Sequence, residues 1–359
     1  MNYFDHAATS PMRPAAREAW LAASTFNPGG QYALGRAARA AVSEARETIA
    51  ELLGCEPIEV IFTASGTEAD NIAVQGLFRA SPLDRVVASP IEHPAVAETV
   101  KNLGASVAYF EVAATGHVQV GPELDEPAAL VTCMLANNET GAIQPLSEIV
   151  AATDAPVHVD AVQAVGHIPV NFSELGVTTL AASAHKFGGP RNGILLAKRS
   201  PAPAPILFGG GQERGIRSGT IDVAGAVATA VSLKEAVSEM ESEAQRLAQL
   251  RDELRECAVS LGGIVHTQEP ALPGHLHVSF PGAVGDSLIM LLDMHGIAAS
   301  TGSACSNGVN RASETLLAMG VTEAQSALRF TLGYTTNLQE VKYLINVLPE
   351  VVEQARKSR

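Results

Sequence analysis

The alternation of strand and helix patterns is the feature that most constrains this fold. Between Val60 and Leu196, short runs of apolar and β-branched residues alternate with amphipathic helical patterns. Such alternation is typical of a mostly parallel sheet with helices on both faces. It predicts strands at Val60–Thr63, Arg85–Ser89, Ser106–Phe110, Ala129–Leu135, Val157–Asp160, Leu180–Ser183 and Ile194–Ala197. The sequence therefore predicts an α/β fold with a mostly parallel, seven-stranded sheet.

The residues after this region follow a different pattern. Apolar residues recur at helical spacing from Val231 to Leu261, which predicts one long amphipathic helix. Beyond His275, strand patterns at Leu276–Phe280 and Leu328–Leu332 mix with helices, as in a smaller α+β domain. We predict a large domain over residues 14–240 and a small domain formed by residues 1–13 and 241–359.

Composition and charge exclude several classes of function. The formal net charge of −14 argues against non-specific binding to nucleic acid or to an anionic membrane surface. No apolar run is long enough to span a bilayer, and the first residues lack a signal-peptide pattern. The cysteines never form a C-x-x-C pair, which argues against a disulfide framework or a structural zinc site. We expect a cytoplasmic protein without a bound metal.

Two polar residues at the ends of predicted strands indicate carbonyl chemistry. Lys186 follows the apolar run Leu180–Ser183 and precedes a glycine turn, so we expect a poorly hydrated amine with a lowered pKa. Asp160 ends the run Val157–Asp160, where a carboxylate can pair with a protonated pyridine nitrogen. The pair favours a Schiff base to pyridoxal 5′-phosphate (PLP). A surface lysine and a helix-capping aspartate are the alternatives.

Further polar residues follow other predicted strands. Ser65 and Glu68 have capping-box spacing, so Gly66 and Thr67 should open a helix whose free amides suit a phosphate. An ordinary capped helix is the alternative. His93 is a candidate for stacking on a pyridine ring and moving protons, with a plain loop histidine as the alternative.

Four more candidates lie farther along the chain. Asn138 can bind a carboxylate or a phenolic oxygen, or can simply form a turn. The glycine-rich segment Phe208–Thr220 matches neither the dinucleotide nor the P-loop pattern, which leaves an anion-binding loop and a surface loop both open. Arg329 suits an α-carboxylate or an edge-strand salt bridge. Cys305 lies among glycines and small polar residues, so an accessible, reactive thiol and a packed one are both open.

Together these motifs resemble the cysteine desulfurases of the class V aminotransferase family, which are fold type I PLP-dependent transferases. The resemblance runs from the motif at Tyr3 to the strand that contains Arg329. Its most specific parts are the Ser183–Lys186 block, the Gly209–Thr220 loop and the loop that contains Cys305. It implies a large PLP-binding domain, a small C-terminal α+β domain and a homodimer.

The resemblance also implies how the coenzyme is held. Lys186 would carry PLP as a Schiff base, and Asp160 would pair with the pyridine nitrogen. Gln163 would contact the phenolic oxygen, and His93 would stack on the ring and move protons. Thr220 would reach the phosphate bound by the partner subunit. The remaining phosphate and cofactor contacts would come from Gly66, Thr67, Asn138, Ser183 and His185.

The implied reaction converts L-cysteine to L-alanine. Asn138 and Arg329 would bind the substrate carboxylate, and the freed Lys186 would take the Cα proton. The Cys305 thiolate would attack the substrate sulfur and hold it as a persulfide for an acceptor or scaffold protein. Iron–sulfur cluster assembly, tRNA thiolation, cofactor biosynthesis and DNA sulfur modification all start from such a persulfide, and the sequence leaves them open.

Two departures and two alternatives accompany the resemblance. Tyr32 stands where many relatives carry histidine, which affects the wall of the site entrance. The stretch between Cys305 and Arg329 is slightly short but fits the subgroup with a long cysteine loop, so we expect a scaffold-type partner. One alternative is a selenocysteine lyase or an aminotransferase of the same fold; an aminotransferase would not need Cys305. The other is a non-catalytic sulfur-relay scaffold, which would not need Lys186 paired with Asp160.

Overall fold

The computed structural model describes residues 1–302, 313–322 and 324–357. The strands, numbered in chain order, are β1 Asn2–Tyr3, β2 Val60–Thr63, β3 Arg85–Ala88, β4 Ser106–Tyr109, β5 Glu111–Val112, β6 Val118–Gln119, β7 Leu130–Thr132, β8 Val157–Asp160, β9 Thr179–Ser183, β10 Gly193–Ala197, β11 Ile264–Val265, β12 His275–Ser279, β13 Ile297–Ala298 and β14 Ala327–Thr331. The helices are α1 Pro14–Ala22, α2 Ala33–Leu53, α3 Gly66–Ala80, α4 Pro94–Lys101, α5 Leu146–Ala151, α6 Phe172–Leu175, α7 Val223–Ser260, α8 Gly285–Met294, α9 Glu314–Ala318 and α10 Leu338–Lys357.

The main sheet has seven strands in the order β2-β10-β9-β8-β7-β3-β4. Its neighbouring strands are parallel except at β10, which runs antiparallel to both β2 and β9. β8, β9 and β10 are buried at every position, as expected for strands covered by helices on both faces. The predicted fold class, with its mostly parallel seven-stranded sheet, is confirmed.

The direction of the strands decides where a site can form. β2, β3, β7, β8 and β9 all end at the same edge of the sheet, because they run in one direction. In open α/β sheets, ligands bind outside the carboxyl ends of the strands. The polar residues that follow these strands in the sequence are therefore brought to one edge.

The helix α7 links two hydrophobic cores. Its first half packs into the core of the main sheet through Val223, Ala226 and Leu233. Its second half, including Leu250 and Leu254, packs into a second core. Within the described residues, no helix has the length and apolar character needed to cross a membrane.

The predicted start of this helix, Val231, was wrong. The helix begins at Val223, because the side chain of Asp222 accepts a hydrogen bond from the Gly225 amide at 3.0 Å and caps it. The first turns are rich in alanine and mostly buried, so they show no amphipathic pattern in the sequence.

A second, smaller sheet is formed by strands from the carboxyl-terminal part of the described chain. β11, β12 and β14 form an antiparallel sheet, and α8 and α10 pack with it around the second core. The amino-terminal strand β1 pairs in parallel with β13, and Phe4 is fully buried in this core. The boundaries of the two domains stay a prediction.

Candidate active site

A cavity of about 330 Å³ opens at the carboxyl edge of the main sheet. Its volume lies at the lower end of the range of about 300–1,000 Å³ for small-molecule sites. Nearly all of the residues predicted to hold a cofactor line it: Gly66, Thr67, His93, Asn138, Asp160, Gln163, Ser183, His185 and Lys186. The structure thus brings together side chains from five separate strand ends.

One side of the cavity is the amino-terminal end of α3. Ser65 caps this helix, because its Oγ accepts a hydrogen bond from the Glu68 amide at 3.1 Å. A Cβ atom on Gly66 would lie 3.0 Å from Val162 Cγ2 and 3.2 Å from Ser183 Cβ. Glycine therefore lets the helix start close to the ends of β8 and β9. The first amides of α3 and its dipole create a site for an anion.

Lys186 follows β9 in a single turn of 3-10 helix, Ala184–Lys186. Its side chain is directed to the amino-terminal segment, where Nζ donates to the carbonyl oxygens of Ala7 at 2.5 Å and Ala8 at 3.0 Å. The Gln163 amide also donates to the Ala7 carbonyl, at 2.9 Å. The amino-terminal segment therefore forms the wall of the cavity that holds the lysine.

Asp160 presents a buried carboxyl group at the end of β8. It is 4% exposed, and its Oδ1 accepts a hydrogen bond from the Val162 amide at 2.8 Å. Burial, and then the nearby carboxyl of Asp70, raise the pKa of Asp160 to about 7. Burial also raises the pKa of Asp70 well above its usual value. The cavity therefore favours a cationic partner at this position, because such a partner would stabilise the ionised form of Asp160.

His93 caps α4 and lines the cavity at the same time. Its Nδ1 accepts a hydrogen bond from the Ala95 amide at 3.1 Å, so the proton of the neutral ring is on Nε2. The pKa of His93 is lowered, mainly by burial. The negative charge of Asp160 raises this pKa, whereas the positive charge of Lys186 lowers it further. A neutral imidazole of fixed tautomer results.

Three predicted residues are not part of this cavity wall. Thr220 is exposed and does not line the cavity. Arg329 lies behind the wall, where Nη1 donates to the Asn138 carbonyl at 2.8 Å and Nη2 to Asp5 Oδ1 at 2.6 Å. Cys305 lies outside the described residues.

Five residues that line the cavity were not candidates from the sequence: Ala8, Asp70, Met134, Val162 and Arg191. Asp70 lies one helical turn after Gly66 on the same face of α3, a spacing that predicts proximity. Arg191 is exposed in the loop between Lys186 and β10. Ala8 reaches the cavity because the amino-terminal segment crosses to the main sheet, which no local pattern indicates. Among the described residues, no group of three or more His, Cys, Asp or Glu side chains is arranged to hold a metal ion.

Comparison with known proteins identifies the family. A sequence model described as aminotransferase class-V matches residues 2–344. The chain is 43% identical to an IscS-like cysteine desulfurase of Mycobacterium tuberculosis, over 100% of this chain and 98% of that protein. It is 38% identical to the cysteine desulfurase IscS of Dictyoglomus turgidum, over 99% and 95% of the two chains. A solved NifS-like protein superposes with a TM-score of 0.92 at 35% identity, covering 98% and 99% of the two chains.

The chain therefore belongs to the aminotransferase class-V family. Its full-length relatives confirm the predicted enzyme, a cysteine desulfurase, and PLP as its cofactor. A further similar structure, SspA in complex with cysteine, has a TM-score of 0.80 at 28% identity, covering 92% of this chain and 99% of that one.

The residues of the cavity fit PLP. The cavity is lined by the amine of Lys186, the buried carboxyl group of Asp160 and the first turn of α3. They match the aldehyde, the pyridine nitrogen and the phosphate of the coenzyme in chemical type. The close approach of Gly66 to Val162 and Ser183 leaves the helix amides at the cavity rather than behind a side chain.

Proposed function

We propose that this cavity converts L-cysteine to L-alanine with PLP, using the residues that the sequence predicts. The observation that carries the proposal is that Lys186 and Asp160 line one cavity together with the amino terminus of α3. When bound, PLP supplies an electron sink for the charge left at the substrate Cα. The other roles would fall to side chains and backbone amides of the chain.

The phosphate would be held at the α3 end of the cavity. Gly66, Thr67 and Ser183 line this end and offer amide and hydroxyl donors. Burial is the main cause that lowers the pKa of His185 to about 4, so its ring is neutral and donates through one nitrogen. The exposed guanidinium of Arg191 adds positive charge at the same cavity.

Lys186 and His93 would handle the protons. Lys186 would attach the coenzyme covalently and, once released, take the proton from the substrate Cα. The carbonyls of Ala7 and Ala8 would accept hydrogen bonds from its amine while it is detached. His93 is neutral with its proton on Nε2, so taking up a further proton on Nδ1 would require it to release the hydrogen bond from the Ala95 amide. Its first role would therefore be to donate a hydrogen bond from Nε2, because a neutral imidazole is too weak an acid to give up that proton.

Asp160 and Gln163 would orient the ring, Asp160 through the pyridine nitrogen and Gln163 through the phenolic oxygen. Asp160 would keep the pyridine nitrogen protonated. Gln163 donates to the Ala7 carbonyl, so a bond to the phenolic oxygen would use its second amide hydrogen. Asn138 lines the cavity and its backbone carbonyl oxygen accepts a hydrogen bond from Arg329, which supports the proposal that both residues bind the substrate carboxylate.

The sulfur acceptor would be Cys305, a role that rests on the sequence. A protein acceptor or scaffold would then receive the persulfide, with iron–sulfur cluster assembly among the open pathways. A cytoplasmic location belongs to the same proposal, and the free thiols of Cys55, Cys133 and Cys257 agree with it.

A homodimer is also part of the proposal. Phe208 is 82% exposed, and Thr220 at the other end of the same loop is exposed as well. The loop is anchored to the first turn of α3, because Arg217 Nε donates a hydrogen bond to Glu68 Oε1 at 2.7 Å. An exposed aromatic side chain on an anchored loop suits an interface, and Thr220 could contact the phosphate of a second copy from there.

Reduction with borohydride tests the proposal directly. With PLP and borohydride, the peptide that contains Lys186 should carry the coenzyme, and Lys186→Ala should carry none. After cysteine turnover, the peptide that contains Cys305 should carry one extra sulfur, and Cys305→Ser should release no alanine. Labelling at a different lysine would refute the assignment. Full alanine release by Cys305→Ser would favour another PLP enzyme of this fold.

A further inference from the structure

A carboxylate of the chain itself is bonded to the arginine that is expected to bind the substrate. Arg329 Nη2 lies 2.6 Å from Asp5 Oδ1, and Nη1 donates to the Asn138 carbonyl at 2.8 Å. The Arg329 side chain is 5% exposed and that of Asp5 is 21% exposed. A guanidinium buried to this extent needs a counter-ion, and Asp5 provides it.

The backbone holds Asp5 in place without help from a ligand. Asp5 forms a parallel bridge with Thr331 of β14, two residues beyond Arg329. The Ala7 amide donates to Thr331 Oγ1 at 2.9 Å, and Tyr3 Oη donates to the Asp5 carbonyl at 2.9 Å. The backbone of Asp5 is therefore fixed beside β14, close to Arg329.

The ion pair lies next to the cavity. Asn138, whose carbonyl binds Arg329, lines it, and so does Ala8, which follows Asp5 closely in the chain. The Nε–H of Arg329 is buried and has no acceptor within the described part of the chain, so Asp5 and Asn138 do not saturate the guanidinium. The Nε–H of Arg329 is thus left as a donor for a second carboxylate.

We propose that Asp5 sets the affinity of the site for the α-carboxylate of the amino acid by sharing Arg329 with it. The inference rests on the proposed role of Arg329 as the carboxylate-binding residue. Two carboxylates on one guanidinium repel each other, so Asp5 weakens the binding of any ligand that carries this group. Its hydrogen bond meanwhile keeps the guanidinium oriented. Such a residue lowers the affinity for amino-acid ligands in general and promotes release of L-alanine.

Two substitutions separate the charge from the hydrogen bond. Asp5→Asn keeps an oxygen that can accept from Nη2 but removes the negative charge. Asp5→Ala removes both. Tyr3→Phe is the matched control, because it removes a hydrogen bond to the Asp5 carbonyl and leaves every charge in place.

Calorimetry on the PLP-loaded enzyme measures the effect without turnover. The probes are L-alanine and ethylamine, which is L-alanine without its carboxylate. At low salt, Asp5→Asn should bind L-alanine about fivefold more tightly than the unmodified enzyme, the scale of one partly exposed charge pair. Ethylamine should bind equally to both, and Tyr3→Phe should match the unmodified enzyme with both probes. Asp5→Ala should gain less affinity for L-alanine than Asp5→Asn, because without a hydrogen bond from residue 5 the guanidinium loses its orientation.

Equal or weaker binding of L-alanine by Asp5→Asn would overturn the inference. If Asp5→Asn does not fold, Asp5→Ser removes the same charge and carries the same expectation. Arg329→Gln separates this failure from that of the proposed function. If Arg329→Gln leaves L-alanine binding unchanged, the role of Arg329 is wrong. If it weakens binding while Asp5→Asn fails to strengthen it, only the role of Asp5 is wrong.

Discussion

The stability of the coenzyme-free protein should depend on pH through Asp160. The carboxyl is buried beside Asp70, and its pKa is raised from 3.8 to about 7. A carboxyl whose pKa is higher in the folded than in the unfolded chain binds its proton more tightly when folded. Its contribution to stability is full below pH 4, falls as the pH rises, and is lost once the pH has passed about 7.

The size of this pH effect on stability follows from the change in the pKa of Asp160. A change of about three pKa units corresponds to about 4 kcal/mol in the free energy of unfolding, as an order of magnitude. Asp160→Asn removes the titration, and its amide oxygen can still accept from the Val162 amide. The coenzyme-free variant should therefore be more stable than the unmodified protein at pH 8 and closer to it at pH 4.5.

Urea unfolding of both coenzyme-free proteins at these two pH values provides the measurement. Glu353→Gln is a suitable control, because it removes an exposed carboxylate that pairs with Lys357 at the surface. Asp70 titrates too, so part of the pH dependence should persist in Asp160→Asn. The reasoning is refuted if the stability difference between Asp160→Asn and the unmodified protein is the same at both pH values. The same variant should lose most activity when loaded with PLP, because the pyridine nitrogen would lack its anionic partner.

Three further substitutions test the frame around the cavity. Ser65→Ala removes the cap of α3 and should cost about 1 kcal/mol in thermal unfolding, together with some PLP affinity; unchanged values would contradict the role of this cap. Glu213→Gln should lower the free energy of urea unfolding by about 3 kcal/mol, because the Glu213 side chain is 2% exposed and binds both Arg46 and the Phe62 amide. A loss below about 1 kcal/mol would argue against a buried pair. Gly193→Ala would place a Cβ 2.2 Å from the Ser65 carbonyl oxygen, so the turn before α3 must move. The affinity for PLP, measured by an absorbance titration, should therefore fall. An unchanged affinity would show that the turn adapts.

The main sheet could be predicted from the sequence because each of its strands is marked by a local pattern of residues. Each strand of the main sheet shows as a short apolar run, and Asp160 and Lys186 stand directly at or after such runs. Parallel strands then bring their carboxyl ends to one edge. The proximity of the two residues follows from this geometry.

The contacts that the sequence did not indicate join distant parts of the chain. Asp5 and Arg329 are 324 positions apart, and Lys186 reaches the Ala7 carbonyl across 179 positions. No periodicity or spacing marks such pairs, because they depend on how the amino-terminal segment crosses between the two sheets. The early start of α7 was missed for another reason: its alanine-rich first turns are buried on most sides and lack a polar face.

The course of the first residues has a practical consequence for handling this enzyme. The segment from Asp5 to Thr9 joins Arg329 at one end and His185 at the other, with the lysine bonded between them. Substitutions between Asp5 and Thr9 made for labelling or crystallisation would thus alter the contacts of Arg329, Lys186 and His185 together, and kinetic work should leave this segment unchanged.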